Sequence, residues 1–468
     1  MQPYTPFARP LRDLEVGDLK ALKEASEGWY IEYKRESPKA AAVAKSLSAF
    51  ANTYGGWLFI GVQEASKESP FAGSFPGVYR TDVDASIQRL RKAAADHLNP
   101  TPHFEIRVLW GPDPELELAE DHAIICIWTP QSNSAPHVHK SGHIYRRVAD
   151  ASEPKPETDR FILDQLWRRA DDIKRIHQEW FDNDPEFSES EKACPYLRLM
   201  LIADPRIERD VWLDVDETEV RRVLTQTDGV SSIPFDTVHT TSTGFVGRQL
   251  TNNSPHHLTL TWRLRRDMVS DIIIPLPLLQ PHQLDELSID LRAYANTAKF
   301  IDLLARYNSE VVRVVDLNYL FNILIGIAEI QAGLCSLAGW TESYYAKTKL
   351  LNCWRMIPFL DDEFVLSHFE KHGISMCLDS ISSFPPFNGP EGYLEVSPDK
   401  FRDSNFARAL FQGVMMFTQV AISFGIPAWP AESEDESDTP YYERLLQAGR
   451  RAIDNQDQRN SRLRRLRR

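Results

Sequence analysis

The stretch Ala49-Phe-Ala-Asn-Thr-Tyr-Gly-Gly56, followed by Trp57-Leu-Phe-Ile-Gly-Val62, constrains the folding of this chain more than any other. An apolar helical pattern that runs into two glycines and then an unbroken apolar run predicts a helix, a tight stop and a buried strand. Upstream lies Glu27-Gly-Trp-Tyr-Ile-Glu-Tyr-Lys34. Gly28 suits a turn into a strand. Period-two alternation then puts Trp29, Ile31 and Tyr33 on one face and Tyr30, Glu32 and Lys34 on the other. Ser37-Pro38 reads as a helix start, with Val43, Leu47 and Phe50 at helical spacing up to about Thr53.

The neighbouring segments extend this into a compact α+β domain. A short helix is expected over Asp18–Ala25 and a longer one from near Thr81, carrying Val83, Ile87, Leu90 and Ala94 inward and ending before Asn99-Pro100. Strands are expected at His103–Trp110, His122–Trp128 and His143–Val148. The proline- and charge-rich Ala151–Glu157 reads as a linker. The expected domains are therefore 1–155, 156–430 and a tail at 431–468.

In the second domain an amphipathic helix fits Arg160–Trp180, and strands fit Tyr196–Ile202, Thr237–Val246, Leu258–Leu264 and Asp271–Leu276. From Gln283 to Phe424 the pattern is mostly helical: Glu286–Tyr307, Asp316–Ala338, a Trp340–Trp354 segment and Asn405–Phe424. The fold class is thus α+β twice over, the second domain having a mostly helical end. The tail joins an acidic run, Glu432–Asp438, to a helix near Tyr441–Ile453 and an arginine-rich end, Arg459–Arg468. That end reads as a phosphate grip or a frayed terminus.

Composition narrows the function classes. The formal net charge of −14 disfavours blanket attraction to nucleic acid or an anionic membrane. The charge is uneven: residues 1–150 hold 17 Lys/Arg against 19 Asp/Glu, and the remainder 36 against 48. A local basic face is easiest to arrange in the first domain. The five cysteines contain no CxxC pair, which fits a reducing compartment. The N-terminus lacks a signal-peptide layout. The apolar window Tyr319–Gly339 is interrupted by Asn322, Glu329 and Gln331, so a buried core helix is expected and no membrane span. The expected location is cytoplasmic.

Glu27 and Glu32 do not meet by spacing alone. Five residues put them about 140° apart on a helix and on opposite faces of a strand. A turn at Gly28 lets them converge, and Glu64, just past the second strand, has the parity of Leu58, Ile60 and Val62. Glu27, Glu32 and Glu64 would then form an oxygen-rich site for Mg²⁺ or Mn²⁺, with Lys34 on a phosphate. The competing reading is surface acids, with Glu32 and Lys34 a solvated pair.

These residues resemble a known family. Glu27, Ile31-Glu-Tyr-Lys34, Ser48-Ala-Phe-Ala-Asn-Thr-Tyr-Gly-Gly56 and Phe59-Ile-Gly-Val62 look like the Schlafen core, or AlbA-type, domain. Ala135-Pro-His137 and Tyr145-Arg-Arg-Val148 match its closing strands. The resemblance covers roughly residues 12–155 and implies a nucleic-acid-binding α+β fold. In the nuclease members an acidic pair at the Glu27 and Glu32 positions and a third acid cleave RNA, typically tRNA, with a divalent metal. Glu64 takes the third place here, with Glu68 a second candidate; the family's aspartate is replaced by a longer side chain. Other members are described as DNA-binding or transcription-regulating. The resemblance therefore implies either a metal-dependent endoribonuclease acting in stress or defence, or a non-catalytic DNA-binding regulator. In the second case the C-terminal domain would sense a ligand or partner, or form a homo-oligomer. A pure interaction scaffold is the remaining class.

Three other features carry less. His137, His139 and His143 could suggest zinc, but a loop leading into a strand explains them and no cysteine is near. Arg146 and Arg147 alternate, so one is expected to face outward and contact phosphate, Arg147 fitting the family's arginine better. No GxxxxGK[ST] loop occurs and Gly55-Gly56 precedes a strand, so no ATP hydrolysis is expected.

Overall fold

A computed structural model describes residues 4–9, 11–66, 69–148, 153–205, 211–227, 229, 233, 235–249, 258–306, 312–378, 392–397, 404–427, 429–430 and 439–466. Among these the chain divides into two compact units, the first running through Ile176 and the second beginning at His177. The division falls inside a helix, Arg160–Asp182. Glu68 and the acidic run Glu432–Asp438 lie outside the described residues.

The first unit is a central sheet with a helical layer on one side. Strand β1 (Ile31–Lys34) leads to helix α1 (Ala40–Asn52), strand β2 (Gly56–Ile60) and a hairpin of β3 (Gln63–Ser66) and β4 (Ser69–Ser74). Then come β5 (Val78–Tyr79), α2 (Arg80–His97), β6 (Leu98–Asn99), β7 (Glu105–Trp110) and β8 (His122–Thr129). Short pieces close the unit: β9 (Val138–His139), β10 (Tyr145–Arg146), β11 (Lys155–Pro156) and the start of α3 (Arg160–Asp182). In the main sheet β1 pairs in parallel with β2, β2 is antiparallel to β8, and β5 and β7 also pair with β8.

Strand parity decides what each face buries. Ile31 and Tyr33 join Trp57, Phe59, Ile124 and Cys126 beneath the N-terminal segment, where Phe7, Leu14, Leu19 and Leu22 complete one core. Leu58, Ile60, Ile125 and Ile127 face Val43, Leu47 and Phe50 of α1 and Val83 and Leu90 of α2. The expected Asp18–Ala25 helix is a 3-10 helix, Val16–Glu24. The hairpin β3–β4 was not anticipated, because its polar and small residues carry no apolar alternation. Helix α1 begins after Lys39 and not at Ser37-Pro38.

The double glycine is required sterically. Gly55 has φ +76°, and a Cβ there would lie 2.8 Å from the Gln131 nitrogen. A Cβ on Gly56 would lie 2.3 Å from the Phe50 ring and 2.7 Å from the Tyr30 carbonyl oxygen. The turn brings helix and strand closer than any side chain permits.

The second unit contains a seven-stranded sheet of Thr237–Thr240, Gly244–Arg248, Thr261–Arg265, Ser270–Pro275, Tyr196–Ile202, Tyr344–Leu351 and Leu394–Val396, in that spatial order. The expected Thr237–Val246 strand is a hairpin, and Glu286–Tyr307 is two helices, Leu284–Asp290 and Thr297–Arg306. Asp316, expected to start a helix, ends the strand Val314–Asp316, and the helix begins later, at Leu320–Leu337. Tyr344–Leu351 lies inside the sheet although the surrounding pattern is helical. Its lysines break the apolar run expected of a strand in a sheet interior: Lys347 is 1% exposed over the Tyr393 ring, and Lys349 bonds Asp184 at 2.7 Å. Leu320–Leu337 is long and apolar enough to span a membrane by length and composition; here Phe321, Leu324, Ile327 and Leu334 are buried in the unit's core. The last helix runs Tyr441–Leu466, far past the expected Ile453, and Arg459 and Arg462 approach Asp290 at 3.7 and 3.4 Å.

Replacing Gly56 by alanine is expected to destabilise the first unit by about 2 kcal/mol or more, read as a lower urea midpoint. An unchanged midpoint would mean that the helix–strand turn relaxes freely.

Candidate functional site

Glu32 points from β1 toward α1, the face its parity assigns, and is 2% exposed. Burying a carboxylate is costly unless charges and hydrogen bonds compensate it. Three groups do so. Oε1 lies 2.9 Å from Lys34 Nζ and accepts from Ser46 Oγ at 2.9 Å, while Oε2 accepts from Arg147 Nη1 at 3.0 Å. Ser46 was not singled out in the sequence; a serine four residues after Ala42 on an apolar helix carries no signal by itself.

Arg147 is fully buried. Its guanidinium donates to the Gly28 carbonyl through Nε at 2.8 Å and also through Nη2, and to the Ile31 carbonyl at 3.2 Å. It lies 5.1 Å from the centre of the Phe50 ring, and its backbone N–H donates to Thr53 Oγ1 at 2.9 Å. The expectation that Arg147 holds a nucleic-acid phosphate is therefore corrected: its donors are spent inside the fold. Arg146 is also engaged, through Glu157 at 2.7 Å with both side chains 15% exposed. Alternation did turn one arginine the other way, but α3 and its approach cover that side. Of the three expected phosphate contacts, Lys34 is the accessible one, at 35% side-chain exposure.

The motif Asn52-Thr53 explains how the closing segment is held. Asn52 Nδ2 donates to the carbonyls of His137 and Tyr145 at 3.1 and 3.0 Å, and its Oδ1 accepts from the His137 N–H at 2.8 Å. Asn52 and Thr53 thereby staple residues 137–147 to the end of α1, which places Arg147 against Glu32. His137 is part of this staple: its Nδ1 lies 2.7 Å from the Pro100 carbonyl oxygen, and burial holds its pKa down at about 4.

Glu27 lies beside the β3–β4 hairpin, its N–H donating to the Pro70 carbonyl at 2.7 Å and its Oε1 accepting from the Tyr33 N–H at 2.5 Å. Burial raises its pKa above the ordinary carboxylate value; the Tyr33 hydrogen bond and Lys34 oppose that rise, while Glu32 and Glu64 add to it. Glu64, paired with Ala72 across the hairpin, is thus within electrostatic reach of Glu27. The three acids share one region. Among the described residues, however, no three His, Cys, Asp or Glu side chains are placed to share one metal ion. With both Glu32 oxygens committed to Lys34, Ser46 and Arg147, the set as it stands does not fit a three-carboxylate Mg²⁺ or Mn²⁺ site.

The raised pKa of Glu27 has a definite sign in stability. The folded state binds this proton more tightly than the unfolded chain, so the contribution is fully present at low pH and lost as pH rises through the raised value. Glu27→Gln keeps an acceptor for the Tyr33 N–H and removes the buried charge. It is expected to raise the melting temperature at neutral pH, with the gain shrinking toward about pH 4. An equal or lower melting temperature at neutral pH would count against a strained carboxylate at this position.

Residues 27–156 match the family model described as Schlafen, AlbA_2. No curated protein matches the chain. Among solved structures, the crystal structure of the DIP2311 protein from Corynebacterium diphtheriae is 16% identical, over 39% of this chain and 41% of that chain, with a TM-score of 0.22. The chain spans about two fifths of the length of that protein, and a superposition this weak says nothing about fold or function. The likeness to the Schlafen, AlbA_2 model is confined to residues 27–156, and the region beyond it matches no family model.

Proposed function

We propose that the first unit is a nucleic-acid-binding module that contacts phosphate through Lys34, with Glu32 serving as a buried anchor. The family match supports a nucleic-acid-related role. The observation that carries the rest is the division of labour at Glu32. One oxygen fixes the buried Arg147, and the other orients the half-exposed Lys34. Lys34 Nζ is held both by the Glu32 carboxylate and by the Tyr33 carbonyl oxygen at 3.1 Å, which preorganises the ammonium for a phosphate oxygen.

Under this reading the protein is a DNA- or RNA-binding regulator, and the second unit supplies the sensing function. A cavity of about 820 Å³ in that unit supports this. It is lined by Trp340, Tyr344, Arg408, Glu329, Glu342 and Gln412, a mixed polar and aromatic wall in the size range of small-molecule sites.

A second reading is a metal-dependent endoribonuclease on tRNA or other structured RNA. The electrostatic contact of Glu27 with both Glu32 and Glu64 favours it. That reading requires Glu32 to be freed from Lys34.

Retention and cleavage assays with tRNA, single-stranded RNA and duplex DNA, each with Mn²⁺, Mg²⁺ or EDTA, separate the two. Binding that persists in EDTA, weakens with salt and drops about tenfold in Lys34→Met supports the module. Metal-dependent cleavage lost in both Glu27→Gln and Glu64→Gln would establish the nuclease instead. Glu32→Ala is a poor test of chemistry because it uncovers Arg147 inside the fold. Retention of no nucleic acid at all would sink both.

A further inference from the structure

Lys45 and Ser46 are consecutive on α1. Ser46 bonds Glu32, but Lys45 turns to a different cluster, its Nζ 5.0 Å from the centre of the Tyr145 ring. Around Tyr145 stand His139 and His143, with ring centres 5.6 and 5.9 Å away, and His97 lies 5.6 Å beyond His139. Ser141 Oγ sits 2.8 Å from His139 Nδ1 and 3.1 Å from His143 Nδ1. Lys140 Nζ lies 2.9 Å from His97 Nε2.

The tautomers follow from the partners. An ammonium group only donates, so His97 Nε2 accepts from Lys140 and the ring proton resides on Nδ1. The Ser141 N–H donates to His139 Nδ1 at 3.2 Å, so that ring carries its proton on Nε2. These two nitrogens, His97 Nδ1 and His139 Nε2, are buried without a hydrogen-bond partner, and His139 is 7% exposed. Both are therefore desolvated N–H donors lacking an acceptor, a costly arrangement that a matching ligand relieves.

The electrostatics match. His97, Lys140, His143 and Lys45 all oppose protonation of His139, which burial disfavours first. Glu153 approaches Lys45 only at 3.9 Å and is 85% exposed. The cluster is rich in donors and positive charge and poor in acceptors. That complements a group with one negative charge and several acceptor oxygens, which is the chemistry of a phosphodiester.

We propose that Lys45, His97, His139, Lys140, Ser141 and His143 form a phosphate-binding site that takes a backbone phosphodiester of the nucleic acid held by the first unit. This rests on the nucleic-acid-binding reading above. Lys45, which reaches the histidine cluster, and Ser46, which bonds the carboxylate that holds Lys34, are consecutive on α1.

Two measurements on the full chain test it. The first follows the imidazole NMR signals of His97 and His139 during titration with inorganic phosphate, against chloride at equal ionic strength. The expected result is a shift with phosphate alone. The second measures oligonucleotide affinity in EDTA across a salt series for the parent and for Lys140→Met with His143→Ala. Both replaced side chains are exposed, so the melting temperature serves as a folding control. The slope of log affinity against log salt is expected to fall by about one or more. Ring signals indifferent to phosphate would overturn the site, and a parental slope in the double variant would overturn the phosphodiester assignment. If the parent retains no oligonucleotide while phosphate still moves the ring signals, the nucleic-acid reading fails and the cluster is a site for free phosphate, which also overturns the proposal as stated.

Discussion

The first unit depends on one buried cation. Arg147 comes from the closing segment, far along the sequence from β1, yet its guanidinium holds the Gly28 and Ile31 carbonyls, the Glu32 carboxylate and the face of Phe50 together. A guanidinium with no exposed surface is tolerated only when its donors and its charge are both matched. Here the match consists of three elements that would otherwise have no reason to meet: the turn before β1, the strand itself and α1. The fixed fork of donors makes arginine suited to this role where lysine would not be.

That constraint bears on chemistry. A carboxylate that completes the shell of a buried arginine has little left to offer an ion, which is why Glu32 belongs with the framework. Its second oxygen still reaches the surface indirectly, by fixing Lys34. Glu27 behaves differently: it is partly buried, and burial together with two neighbouring acids raises its pKa. Of the acids in the site, Glu27 is the one whose burial is only partly compensated, while Glu32 completes the shell of the buried arginine. The Schlafen/AlbA_2 match over residues 27–156 covers both roles without distinguishing them.

Much of this was legible in the sequence. The alternation Ile31, Glu32, Tyr33 assigned the faces of β1 correctly, and the Gly55-Gly56 pair located the helix stop. What local pattern did not reveal were partners. Nothing in Tyr145-Arg-Arg-Val148 says that the outward arginine meets Glu157 or that the inward one meets Glu32, because both contacts span long stretches of chain. The β3–β4 hairpin lacks the apolar alternation that betrays a strand, so nothing local to Glu64 reveals the element that carries it. In the second unit the buried Lys347 and Lys349 disguised a strand inside the sheet. Asn52 and Thr53 stood inside the recognised motif, but their role as staples needed the positions of His137 and Tyr145.

A double-mutant cycle on Glu32 and Arg147 tests the central claim most directly, with stability measured by urea denaturation for Glu32→Gln, Arg147→Met and the pair. If the arginine and the carboxylate hold the domain together, each single change destabilises it and the pair costs less than the sum, with a coupling of about 2 kcal/mol. Additivity within about 0.5 kcal/mol, with Glu32→Gln as stable as the parent, would contradict the account and return Glu32 to the metal-binding set.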